Sequence, residues 1–246
     1  MPNHSAQDSL PEVILRIPGQ WSGTDELEEM LPKGCRFDEE GLHLPDGPTL
    51  EFKAMPSDNE FPEVFTSACR KPPSDEELQK VKNYKVNFCL AGPGGSLDAA
   101  KHMLKAGAAI VHTGGAGVFV DNSAMAHGRS DWLELAGDEE VGGVFWAFVA
   151  TVGGSVELWS LGMHVLGFRD AIIPRTGDDE ADHFALNNFL GYLCESEQTI
   201  VEGDLLGDEE TALYRVRNEP AERFPPGSPL HNPYGLWRLE PVEDEQ

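Results

Sequence analysis

Two short polar stretches carry the residues of this chain that could do chemistry. Gly92-Pro93-Gly94-Gly95-Ser96 falls between an apolar strand and a helix start. Orphan N–H groups and the helix dipole favour an anion at such a point, so Gly94, Gly95 and Ser96 are expected to bind a small anionic ligand, with Asn122 as a further contact. The lysine of G-x-x-x-x-G-K-[ST] is missing and G-x-G-x-x-G is only partly met. The same residues also fit a plain tight turn in which Ser96 caps the helix and Asp98 sits in its first turn.

The second stretch is Asp121-Asn122-Ser123-Ala124-Met125-Ala126-His127, expected as a polar loop at the edge of a strand, where α/β proteins commonly place ligands. His127 could serve as a general base beside Ser123 or Ser96, with Asp121 orienting the imidazole. The bland alternative is a hydrogen-bonded surface histidine. Asp179, Glu180 and His183 are spaced to converge on a metal, yet no second helix offers partners, and neither metal nor cofactor is expected.

Composition narrows the classes of function. The chain has 246 residues, 40% of them hydrophobic, with twelve Phe and five Trp, enough for a real core. Its 43 acidic residues outweigh 18 basic ones for a net charge of -25, which opposes binding to nucleic acid or to an anionic membrane. Cys35, Cys69, Cys89 and Cys194 show no C-x-x-C pairing, so reduced thiols and a cytoplasmic setting are expected. No apolar run approaches the roughly 18 residues of a membrane span, and the first ten residues lack a secretory pattern.

The elements that must position these residues follow from period and punctuation. Val13–Ile17 predicts a strand and Asp25–Leu31 a short helix; Leu42–Leu44 and Thr49–Lys53 predict a hairpin. Ser74-x-x-Glu77 is a capping box opening a helix to about Tyr84, followed by a strand over Val86–Ala91. That order is the ferredoxin-like βαββαβ pattern, so residues 1–91 are expected to form an α+β lobe. Residues 92–246 would form a second, mixed α/β lobe packed against it, possibly as one continuous sheet system or one compact domain. There, Leu97, Ala100, Leu104, Gly107, Ala108 and Val111 mark one face of a helix. A strand at Val118–Val120, a helix at Asp131–Ala136 and an apolar strand at Val144–Val152 come next. Gly153-Gly154 turns the chain into Val156–Trp159, a helix spans Asp178–Glu195, and short strands are expected at Thr199–Glu202, Ala212–Val216 and Gly235–Leu239. Trp146, Trp159, Trp237, Phe145, Phe148 and Phe168 are expected to build the second core or line an aromatic pocket.

Met55-Pro56-Ser57, Asn83-Tyr84-Lys85-Val86-Asn87-Phe88 and Gly117-Val118-Phe119-Val120-Asp121, followed by Ser123 and His127, resemble an uncharacterised bacterial family known as a domain of unknown function and numbered 4261. The likeness covers roughly residues 53–127, and Asp58-Asn59-Glu60 interrupt a proline pattern of that family. It implies an α+β bacterial cytoplasmic protein and brings no catalytic residue with it.

With no nucleophile motif, metal set or complete phosphate loop, the leading expectation is a binding or regulatory module for a small ligand or a protein partner. A homo-oligomer and an acidic inhibitor-like docking protein fall in the same class. The rival is a small-molecule enzyme of hydrolase or transferase type, with His127 as base and the Gly92–Ser96 turn holding an anionic group.

Overall fold

Alternation of Val13, Leu15 and Ile17 gives the first strand, β1 (Glu12–Gly19), one wholly buried face. It is followed by α1 (Thr24–Met30), β2 (Arg36–Asp38), β3 (Gly41–His43), β4 (Glu51–Pro56), α2 (Phe61–Ala68), α3 (Asp75–Lys82), β5 (Val86–Pro93) and α4 (Leu97–His112). Next come β6 (Gly117–Val120), β7 (Met125–Gly128), α5 (Arg129–Gly137), α6 (Val141–Phe148), β8 (Ala150–Gly153), β9 (Glu157–Leu161) and a 3-10 turn (Met163–Leu166). The remainder is β10 (Asp170–Pro174), α7 (Asp179–Glu195), β11 (Leu205–Leu206), β12 (Tyr214–Glu219) and β13 (Leu236–Pro241). A computed structural model describes residues 10–138, 140–196, 198–207 and 213–242. The polar first nine residues, the strand start expected at Ala212 and the end of the acidic tail lie outside them.

The class is α+β. One sheet has the order β4-β5-β1-β6-β7, a second has β11-β12-β13-β10-β9-β8, and β2 and β3 form a ribbon. Both β5 and β6 run antiparallel to β1, so they are parallel to each other with β1 between them. The crossover β5–α4–β6 is therefore a split β-α-β unit, centred on residues 86–120. This corrects the ferredoxin-like pairing expected within residues 1–91. There β4 would lie beside β1, but it pairs with β5 instead, and β6 takes the other edge of β1. Side chains pin that choice, because Asn122 and Asp121, just past β6, both bond to β1. The first sheet thus crosses the boundary expected at residue 91. The sheets are two rather than one, but a single buried cluster joins Leu15, Leu104, Phe148, Ile173 and Val216 across both.

Helix α4 lays its small apolar face on the first sheet, α7 packs on β9 and β10, and α5 and α6 lie with them. On the opposite face of the first sheet, α2 and α3 cover a smaller cluster of Phe61, Phe65, Val81 and Tyr84. The capping box of α3 forms as expected, with Ser74 and Glu77 bonded reciprocally. Residues 144–148, expected as strand, belong to α6, because Val144, Phe145, Ala147 and Phe148 are buried on several sides and the run shows no strand period. The expected hairpin at 42–53 survives as the single bridge Leu42 to Leu50. Among the described residues no helix is long and apolar enough to cross a membrane.

Candidate functional site

The glycine turn is a structural clasp. The Gly94 N–H donates to the Pro11 carbonyl at 2.7 Å and the Gly95 N–H to the Val165 carbonyl at 2.9 Å. Two of the three amides needed to hold an anion are thereby engaged by the main chain. Ser96 is exposed, and its hydroxyl accepts from the Ala99 N–H as the cap of α4. Gly95 has a φ of 81°, a left-handed conformation that favours glycine.

His127 lies within β7 and not on a loop. The turn after β6 closes within four residues, with Ala124 at a φ of 51°, and Met125 already pairs with Val120. The imidazole is fully buried. Nδ1 faces Asp131 Oδ2 at 2.7 Å and Nε2 faces the Ala147 carbonyl at 3.1 Å. Lys71 Nζ meets the other Asp131 oxygen at 2.9 Å, at the protein surface. Burial alone would raise the Asp131 carboxyl, but hydrogen bonds from His127 and Lys71 outweigh it and hold it at about 2.

Asn122 is a bracket between segments. Its Oδ1 accepts from the Ile14 N–H at 2.9 Å, and its Nδ2 faces the Glu12 carbonyl, the Pro229 carbonyl and His164 Nε2. Asp121 holds Arg16 through both carboxylate oxygens. Ser123 is buried beside them, and its hydroxyl bonds neither to His127 nor to any other described residue. The strand registers put Ser96 and His127 three strands and several residues apart, on the order of 20 Å. Neither Ser123 nor Ser96 is therefore placed to work beside His127. On α7, Asp179 pairs with Arg175, and His183 Nδ1 faces the Asp179 carbonyl at 2.7 Å.

The capping box of α3 reaches further than its motif, and two other features have no counterpart in the motifs. The Glu77 carboxylate accepts from the N–H and hydroxyl of Ser74 with one oxygen and from those of Ser130 with the other, joining the starts of α3 and α5. Burial works against the Glu77 charge, but these bonds prevail and lower its pKa. Asp38, Glu40 and His43 converge on the exposed ribbon, where both Arg36 and His43 already pair with Asp38.

The third feature is a groove of about 770 Å³ between α7 and β11–β13. Phe184, Ala185, Phe189, Tyr192, Leu206 and Leu239 form its apolar walls, and Thr176, Asp182 and Asn188 add polar groups. Phe184 and Leu205 are at least half exposed there. Asp182 is fully engaged, accepting from the Thr176 N–H and hydroxyl. The amphipathic stripe of α7 is legible in sequence; the partners that complete the groove come from short strands near residues 205 and 239, which carry no motif. No family model, curated protein or solved structure matches this chain.

Proposed function

We propose that this chain is a non-catalytic binding module that takes an amphipathic small molecule in the groove between α7 and β11–β13. The observation that carries this reading is the groove itself. Its volume lies in the range of small-molecule sites, roughly 300–1,000 Å³, and its walls are apolar with a few polar groups. A net charge of -25 favours a neutral or cationic head group over an anionic one. The alternative of a hydrolase or transferase built on His127 has less support, because both ring nitrogens are engaged and Ser96 is distant. A cytoplasmic setting and the likeness to the bacterial family numbered 4261 belong to the same proposal, and the four unpaired thiols agree with a reducing compartment.

Thermal unfolding with octylamine, octanol and octanoate tests it. A ligand at a hundred times its Kd adds about 2.7 kcal/mol, a rise of roughly 5–10 °C in Tm for a chain of this size. Octylamine or octanol is expected to produce such a rise, octanoate the least, and Asn188→Trp to abolish it by filling the groove. No rise with any probe, or an equal rise in Asn188→Trp, would overturn the reading.

A further inference from the structure

Among the described residues three aspartates are buried, and two of them face cations. Asp131 takes Lys71 and His127, and Asp182 lies 3.7 Å from Arg175 Nε. Asp170, only 2% exposed, forms no ion pair with a described residue. Its oxygens accept from the Ser160 hydroxyl at 2.9 Å, the Met163 N–H at 3.2 Å and the Asn232 amide at 2.8 Å.

Asn232 belongs to segment 220–235, a proline-rich strap of turns that lies against Trp159, Leu161 and Leu236 of the second sheet. Few bonds fasten the strap to the rest of the fold. Asn232 also donates to the Phe168 carbonyl at 3.0 Å, Asn122 reaches the Pro229 carbonyl at 3.3 Å, and Arg223 stacks 4.0 Å over Trp159 and pairs with Glu157 of β9 at 3.8 Å. Other bonds of the strap close within it, such as Ser228 N–H to Pro225 and His231 N–H to Ser228. The charged and titratable groups around Asp170 are Arg223 and His231 on the strap, His164 on the 3-10 turn and Arg169 just before β10. None of them pairs with the carboxylate. Arg169 stacks on Trp237, and His231 faces the Phe224 carbonyl.

We propose that Asp170 and Asn232 form a pH-sensitive latch, which holds strap 220–235 closed while the carboxyl is protonated and loosens it as the carboxyl ionises. A carboxylate sealed from water without a cation is costly, and the least disruptive way to hydrate it is to lift the strap, since Ser160 and Met163 sit in packed elements. Burial pushes Asp170 up to about 6, outweighing the donors from Asn232, Ser160 and Met163. Its folded pKa thus exceeds the unfolded value of about 3.9. The stabilisation is complete below that value and is lost as pH rises through about 6.

Hydrogen exchange at the amides of residues 220–235, corrected for intrinsic rates, reads the strap's opening constant. It is expected to rise about tenfold between pH 5 and pH 8. Asn232→Asp, which sets a second carboxyl beside the first, should move the midpoint upward. Asn232→Ala should leave the strap open at both pH values while amides in β10 and β13 stay protected. A wild-type opening constant that is flat from pH 5 to pH 8, or an Asn232→Asp midpoint that does not move, overturns the latch.

Discussion

His127 faces the Asp131 carboxylate with Nδ1 and the Ala147 carbonyl with Nε2, and Lys71 closes the pair on its outer side. Such a histidine ties β7 to α5 and α6. Its removal leaves a buried carboxylate with Lys71 alone, so His127→Ala is expected to cost roughly 3–5 kcal/mol in urea unfolding. The Asp131 carboxyl, held at about 2, lies below its unfolded value. Its contribution is present above about 3.9 and is lost as pH falls through about 2. The acid limb of wild-type stability should therefore flatten in His127→Ala. A variant as stable as wild type with an unchanged acid limb would contradict the structural role. Asn122 teaches the same point: as a polar residue beside a strand end it suggests a ligand contact, yet its amide bonds are taken by β1, His164 and the strap.

Helix α4 shows how much an element can disclose in advance. Its stripe of Leu97, Ala100, Leu104 and Gly107 has helical period, its cap Ser96 is explicit, and both appear as expected. The small face has a specific reason, because a Cβ at Gly107 would lie 2.8 Å from Cζ2 of Trp132, which is fully buried. Gly107→Ala would gain about 1 kcal/mol of helix propensity but lose about 1–3 kcal/mol to overpacking. A net loss of about 1 kcal/mol is expected in thermal melts, and a higher Tm would refute the contact. Elements lacking period or punctuation were not legible. α6 reads as a strand because buried apolar runs look alike in either state. α2 is masked in sequence by Pro62, which is tolerated in a first helical turn. β10 shows no alternation to mark it, and its neighbour β13 is more than sixty residues away in sequence.

At the scale of the whole molecule, two sheets share one core, the chain carries a net charge of -25, and an apolar groove lies between α7 and β11–β13. Composition announces the core and the charge, but topology alone brings α7 to β11–β13. The site was thus the least legible part of the chain, since its walls come from residues some fifty positions apart, Phe184 and Leu239 among them. The same topology separates Ser96 from His127. The most direct test of the binding reading is a heteronuclear NMR titration of the full chain with octylamine. Shifts should cluster on Ala185, Asn188, Phe189, Tyr192 and Leu239 and vanish in Asn188→Trp. Shifts centred on His127 and Ser123, or none along α7, would contradict it.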